Sequence, residues 1–237
     1  MPGESGEKAA AIIVNYGQEK CLPALFDSLA AQSFRPFLTV LVNNKPSAYE
    51  PPPGIHVMDM SENRGYAAAL NRGIEWAIKS GATDILLLNA DTRLDSDCLA
   101  KLVETDGDVV QPLILLMERP EHINVAGLAP TFLGLAYCMG YRKPRAWAGT
   151  AVREIPAASG AAMLVRAHVF ERIGAFDERY FMYLEDVDLS LRARNAGFRV
   201  ALNPEAVAWH SYSLRLWPRK LFWLLRGSYK IRRLLRS

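Results

Sequence analysis

Three apolar runs that each end in asparagine constrain this chain more than any other feature. Residues 9–14, 37–42 and 85–88 are followed by Asn15-Tyr16-Gly17-Gln18, Asn43-Asn44 and Asn89-Ala90-Asp91. Short runs of Ile, Val and Leu without polar alternation are strands buried on both faces. Between them the spacing turns helical: Leu22, Leu25, Phe26 and Leu29 mark a helix over 22–32, and 66–79 another, closed by Gly81. A proline-rich loop, Pro51-Pro52-Pro53-Gly54, leads to a short strand at 55–58. Residues 94–104 read as a helix and 108–113 as extended. Strands alternating with helices predict a layered α/β fold with a mostly parallel central sheet flanked by helices. Over 118–154 the periodicity is lost among Gly, Ala, Pro and aromatics, which predicts loops and short strands facing a substrate. Order returns with a strand at 159–166 and a helix around 168–173.

In open α/β sheets, ligands collect beyond the carboxyl ends of the strands, so the three asparagine loops predict a shared crevice. Asp91 is its key member. Magnesium and manganese bind through one or two carboxylates together with substrate phosphates, although the same residue would also cap a helix starting near Leu94. His210 closes the apolar run 206–209. A lone histidine is commonly structural, but an imidazole also suits manganese, which makes His210 a candidate partner for Asp91. In Asn63-Arg64-Gly65-Tyr66-Ala67-Ala68-Ala69-Leu70-Asn71-Arg72-Gly73, Asn63 and Gly65 would bring helix N–H groups to an anion, and Arg64 would add charge for a diphosphate. Tight helix packing behind an asparagine cap fits that composition equally well. The acids Glu185, Asp186 and Asp188 follow Phe181-Met182-Tyr183-Leu184. Carboxylates beside an apolar flank are costly unless they face a metal, a cation or a reaction. They also open a helical stretch, 187–196, whose first turn they would stabilise.

Hydrophobic residues make up 50% of the 237 and charged residues 22%, enough for a sizeable core in one ordinary domain. Cys21, Cys98 and Cys138 show no disulfide or metal spacing and read as reduced thiols. The polar start lacks the features of a signal peptide, and no run reaches the length of a membrane span, so the expected location is cytoplasmic. The net charge of +3 hides an asymmetry: residues 214–237 hold eight basic residues and no acid, while the rest carries 20 basic and 25 acidic residues. We therefore expect a catalytic domain over 1–213 and a basic amphipathic helix over 214–237. Its wheel has Arg219, Arg226, Lys230 and Arg233 on one side and Leu221, Leu224, Leu225, Ile231 and Leu235 on the other. Such a helix suits an anionic membrane surface, which would place the protein peripherally on the inner face; alternatively its apolar face docks on the body. The acidic body argues against nucleic acid as a partner.

Taken in order, these motifs resemble the inverting family-2 glycosyltransferases of GT-A fold, in the style of bacterial rhamnosyltransferases, over roughly residues 9–213. The resemblance rests on Ile12-Ile13-Val14-Asn15-Tyr16, on the Asn63 to Gly73 segment, and on Leu88-Asn89-Ala90-Asp91-Thr92 at the place of the metal-binding Asp-x-Asp motif. It continues through Ser159-Gly160-Ala161-Ala162-Met163-Leu164-Val165-Arg166, Gly174-Ala175-Phe176-Asp177 and Tyr183-Leu184-Glu185-Asp186-Val187-Asp188, and ends at Trp209-His210. It implies transfer of one hexose or deoxyhexose, such as rhamnose, from a nucleotide-diphosphate donor to a hydroxyl of a glycan or lipid-linked acceptor in cell-envelope polysaccharide synthesis. By the same resemblance Asp91, with His210, would bind Mg²⁺ or Mn²⁺. Asp186 would be the general base and Glu185 would position the acceptor. Asn15, Asn44, Asn63, Arg64, Gly65, Asn89 and Gly160 would face the nucleotide sugar. Two departures stand out: Asn89 replaces an acid in the metal motif, and Gly17 and Asn43-Asn44 replace more polar or acidic residues near the base. The rival readings are a nucleotidyltransferase, whose Gly- and Lys-rich loop after the first strand is missing here, and a non-catalytic nucleotide-sugar-binding protein, for which a base would be superfluous.

Overall fold

The computed structural model describes residues 8–211 and 218–235, with side chains of the last segment from 222 onward. The expectations for the first seven residues and for Arg219 and Leu221 of the tail lie outside the described residues or side chains. The chain opens with β1 (Ala9–Asn15), α1 (Leu22–Ala30), β2 (Leu38–Asn43), β3 (Ile55–Asp59), α2 (Tyr66–Lys79) and β4 (Asp84–Asn89). Then come β5 (Thr92–Leu94), α3 (Cys98–Glu104), β6 (Val109–Leu116), β7 (Arg119–Val125), β8 (Leu128–Pro130), β9 (Ala136–Cys138) and β10 (Arg153–Glu154). The last elements are β11 (Ala162–Arg166), α4 (Ala167–Ile173), α5 (Glu185–Asn195), β12 (Val200–His210) and α6 (Pro218–Leu234).

All but β8 and β9 join one sheet with the order β10-β12-β6-β11-β4-β1-β2-β3; β5 lies beside β12 and β7 beside β6. The strands β4, β1, β2 and β3 are parallel, so Asn15, Asn43 and Asn89 finish at one edge of the sheet. Next to β4 the polarity changes. β11 runs antiparallel to both β4 and β6, which brings the 159–161 turn to the edge where β4 ends. β12 is again parallel to β6 and ends there with His210. The expected parallel sheet thus occupies the first half of the chain, and the second half is mixed.

Apolar layers cover both faces. On one, Leu22 and Leu25 of α1 and Leu99 and Leu102 of α3 meet Ile13, Leu86 and Leu88. On the other, Leu70 and Ile74 of α2 and Val169 and Phe170 of α4 meet Ile12, Leu87 and Val165. Gly73 lets α2 lie close on β1: a Cβ there would come within 2.5 Å of Ile12 Cγ2.

Two expected elements are corrected. The helix expected over 94–104 is α3 alone, because Thr92, Arg93 and Leu94 pair with His210, Trp209 and Ala208 as β5. Pairing across the sheet outweighs local helical spacing here. The run 206–209 is only the end of the 11-residue strand β12, which shifts register between Asn203 and Val207. Asn203 sustains the bulge: its Oδ1 accepts the Glu205 N–H at 2.9 Å. The 118–154 segment holds β7, β8, β9 and β10 with connecting turns, as expected.

Candidate active site

The strand ends surround a cleft of about 670 Å³. Its walls include Asn44, Asn63, Tyr66, Asn89 and Asp91 from the parallel half, and Gly160, Glu185, Asp186 and His210 from the mixed half. Asp91 follows β4, and His210 ends β12. The antiparallel pairing of His210 with Thr92 carries them together across 119 positions, to 3.2 Å between His210 Nε2 and Asp91 Oδ1.

The hydrogen bonds around this pair have a definite direction. The Tyr66 hydroxyl donates to Asn89 Oδ1 at 2.7 Å, so the Asn89 amide nitrogen faces His210 Nε2 at 3.3 Å as a donor. In the tautomer whose Nδ1–H donates to Asn124 Oδ1, 3.0 Å away, His210 Nε2 presents its lone pair. Burial and the nearby Glu185, Asp186 and Asp91 raise the Tyr66 pKa well above the ordinary phenol, so the hydroxyl keeps its proton. Among the described residues the buried Asp91 Oδ1 accepts no hydrogen bond, and His210 Nε2 lies 3.2 Å from it. Two electron-pair donors converging in a buried setting fit a divalent cation, which would remove their mutual repulsion. Among the described residues no cluster of three His, Cys, Asp or Glu side chains that could hold a metal ion is found. Asn89 turns its oxygen to Tyr66 and acts on His210 through its amide.

The acid pair opens α5. Tyr183 and Leu184 before it both have φ of +69°, a left-handed conformation that bulky residues rarely adopt and that aims the first helical turn into the cleft. Asp186 accepts the Gly160 N–H at Oδ2 and the Val187 N–H at Oδ1, both at 2.8 Å. Burial raises its pKa while these N–H groups pull it back down. Glu185 lies beside it with Oε2 buried and unpaired. Burial first, and the neighbouring Asp186 second, push its pKa up to about 8. Asp188 points elsewhere: Arg192 Nε donates to its Oδ2 at 2.7 Å, and the same guanidinium bonds the Ile173 and Ala175 carbonyls.

The remaining candidates divide. Asn44 Nδ2 donates to Asn63 Oδ1 at 3.0 Å and to the Gly65 carbonyl at 3.1 Å, which frames the cleft wall. Asn15 is buried and bound to Asn43 and to the Gln18 N–H; the cleft receives Val14, Tyr16 and Gln18 from that loop instead. Gly65 is a packing residue: at φ +99° a Cβ would approach the Phe181 carbonyl oxygen to 2.6 Å. Arg64 leaves the cleft for Glu178, at 3.5 Å, on an exposed surface. Sequence reasoning missed Asn124, Leu128 and Cys138, which lie in the aperiodic 118–154 region, and Leu224 of α6; all four line the cleft. Tyr66 was present in the motif as its aromatic residue, without a role.

Solved structures share this architecture. The chain superposes with a TM-score of 0.73 on a crystal structure of GalNAc-T7 with UDP, GalNAc and Mn²⁺, at 17% identity over 91% of this chain and 46% of that one. On S. aureus TarS 1-349 in complex with UDP the TM-score is 0.59, at 17% identity, covering 94% of this chain and 65% of that one. Both are GT-A glycosyltransferases, and the likeness shows the fold. In sequence, an N-acetylglucosaminyl-diphospho-decaprenol L-rhamnosyltransferase of Mycobacterium tuberculosis (strain CDC 1551 / Oshkosh) is 28% identical, over 84% of this chain and 74% of its own length. A dTDP-rhamnosyl transferase, RfbF, of Shigella flexneri is 23% identical over 85% of this chain and 68% of its own. The profile described as glycosyltransferase-like family 2 matches residues 7–226, and this chain belongs to that family as a glycosyltransferase of GT-A fold.

Proposed function

We propose that this glycosyltransferase moves one sugar, a hexose or a deoxyhexose such as rhamnose, from a nucleotide-diphosphate donor to a hydroxyl of a glycan or lipid-linked acceptor, with inversion. The two relatives named for rhamnosyl transfer support the donor class, and the decaprenol-linked substrate in one of those names supports a lipid-linked acceptor. The proposed role is in cell-envelope polysaccharide synthesis, which a decaprenol-linked substrate of one relative supports. The observation that carries the reading is that the Asp91–His210 pair and the Glu185–Asp186 pair line one cleft.

Asp91 and His210 would hold Mg²⁺ or Mn²⁺, which when bound neutralises charge on the leaving diphosphate. Tyr66, Asn89 and Asn124 hold the His210 ring in the tautomer that presents Nε2. Asn44 and Asn63 shape the donor wall. Asp186, whose carboxylate form two backbone N–H groups stabilise against the upward pull of burial, accepts the proton of the acceptor hydroxyl as that oxygen attacks the anomeric carbon. Glu185, its pKa raised by burial and by Asp186, would position the acceptor, its protonated form donating a hydrogen bond to it. One base and an in-line attack suffice for inversion, since no covalent intermediate is required.

A thermal-shift screen of nucleotide sugars, with and without Mn²⁺, tests the donor site, and release of nucleoside diphosphate tests turnover. The expected result is a metal-dependent shift with turnover that Asp186→Asn lowers by about 10²–10⁴-fold while donor binding remains. A protein that no nucleotide sugar stabilises under either condition would refute the proposal.

A further inference from the structure

Helix α6 answers only part of the amphipathic reading. One face docks on the body: Ile231 is fully buried, Trp223 stacks on Phe181 with ring centroids 4.5 Å apart, and Gly227 lies against Leu184 and Tyr180. Lys230, expected on the exposed basic side, sits over the Tyr180 ring at 4.4 Å. The opposite face remains open and is not uniformly polar. Phe222, Leu225 and Tyr229 form a stripe at helical spacing, exposed by 57%, 55% and 62%. Arg226 and Arg233 flank it, also exposed.

A second element adjoins this stripe. The β8–β9 turn puts Gly134 directly on α6, where a Cβ would overlap the Ser228 carbonyl and press on Arg232 Cγ. Ser228 and Arg232 lie three or four positions from Leu225 and Tyr229, so the turn meets the helix beside the stripe. Phe132 and Leu133, next to Gly134, project into solvent, 85% and 52% exposed. The inner sides of the same two elements wall the cleft through Leu128, Ala136, Cys138 and Leu224.

We propose that the 131–135 turn and the outer face of α6 form one surface that seats the enzyme on an anionic lipid bilayer, with the cleft walled by the same elements. Aromatic and aliphatic side chains interleaved with arginines suit the headgroup boundary, where rings bury and guanidiniums meet phosphate. The sequence holds no acid after Glu205, so α6 itself carries no charge that an anionic surface would repel. A second copy of the chain would oppose arginine to arginine across a two-fold axis, which disfavours that occupant. The proposal deepens, and for its biological purpose rests on, the reading of the acceptor as lipid-linked.

The test is sedimentation of the full chain with phosphatidylglycerol–phosphatidylcholine vesicles and with pure phosphatidylcholine, without donor or acceptor. Binding should require the anionic lipid and weaken as salt rises. Phe132→Ser/Leu133→Ser and Phe222→Ser/Leu225→Ser should each lower vesicle affinity by roughly tenfold or more, from the apolar area they remove. Arg226→Glu/Arg233→Glu, a pair exposed enough to spare the fold, should erase the preference for anionic lipid. No binding to anionic vesicles at low salt overturns the proposal, as does wild-type binding by the turn variant. A dimer in light scattering that Phe222→Ser/Leu225→Ser dissociates, without vesicle binding, assigns the face to a second copy and also overturns it. A chain that binds vesicles but never turns over a nucleotide sugar leaves this surface standing and refutes the proposed reaction instead.

Discussion

Glu185 and Asp186 are adjacent in sequence and share the cleft, and burial raises both pKa values, yet their hydrogen-bonding surroundings differ. Asp186 has two backbone donors; Glu185 has an unpaired buried oxygen and a pKa near 8. If Asp186 is the base and Glu185 the neutral donor, turnover rises with pH as Asp186 ionises and falls again near pH 8 as Glu185 loses its proton. Glu185→Gln should remove the alkaline fall and keep the acid limb in a pH profile of kcat/KM. Asp186→Asn should lower kcat by about 10²–10⁴-fold with donor affinity retained, the range expected for loss of a general base. The same shift acts on stability. A carboxyl whose folded pKa is raised holds its proton more tightly when folded, so its contribution is complete below about pH 4.5 and is lost as pH rises through 8. The melting temperature should fall between pH 5 and 9, and less steeply in Glu185→Gln. Asn124 belongs to the same scale. Asn124→Leu removes the acceptor for His210 Nδ1–H and should weaken Mn²⁺ binding by about 10–100-fold in calorimetry, the usual cost of losing a support to a ligand. Asp91, Glu185, Asp186 and His210 were legible in the sequence because acids after a strand and imidazoles at strand ends are chemically conspicuous. Asn124 was not, since its role exists only once β7 pairs with β6 through two register shifts. Arg64 was legible as a charge but not in direction, because a long side chain takes its partner from the fold, here Glu178.

Among the elements, those whose local pattern agreed with their packing were readable to within a few residues. Helix α2 was expected over 66–79 and occupies Tyr66–Lys79, since its buried Ala67, Leu70, Ile74 and Ala77 repeat at helical spacing. Where long-range pairing governs, the reading failed: β5 exists because β12 supplies its partner, and β12 continues through Asn203-Pro204 because a bulge absorbs the proline. Helix α6 is the mixed case. Its amphipathic character was visible, but not that Gly227 and Gly134 select which face docks. Gly134 has φ +77° and no room for a Cβ against the Ser228 carbonyl. Gly134→Val should therefore lift the 131–135 turn from α6 and expose the helix amides. Hydrogen exchange over 222–234 should accelerate while the strands β1 and β4 keep wild-type protection, because the change is confined to a peripheral contact. Uniform acceleration throughout the chain would mean that α6 is integral to global folding instead.

At the scale of the whole molecule, the change of sheet polarity at β11 divides the labour. The parallel half ends in Asn44, Asn63, Asn89 and Asp91, and the mixed half supplies Gly160, the acid pair and His210, so neither half contains a complete site. What joins the halves besides the sheet is the close approach of the 63–66 segment to the loop before α5. The Tyr66 N–H donates to the Phe181 carbonyl at 2.8 Å, and Gly65 lies against the same carbonyl with φ +99°. Asn44 fastens the other side of that segment through Asn63 and the Gly65 carbonyl. Phe181 in turn stacks on Trp223, so the Asn44–Asn63 wall of the cleft, the acid loop and α6 form one mechanical series. Gly65→Ala inserts a single methyl group into this series without adding or removing any charged or hydrogen-bonding side chain. The strained backbone and the 2.6 Å approach should cost about 1–3 kcal/mol of stability. If the contact only holds the fold together, the surviving folded fraction should have wild-type KM values for both substrates. If it aligns the halves, KM for the donor and for the acceptor should rise together and kcat should fall, although residue 65 does not line the cleft. Asn44→Ala, which loosens the segment from the other side, should then reproduce the donor effect with a smaller effect on the acceptor. Steady-state kinetics of the two variants, normalised to folded protein, separate a scaffold contact from one that sets the geometry of transfer.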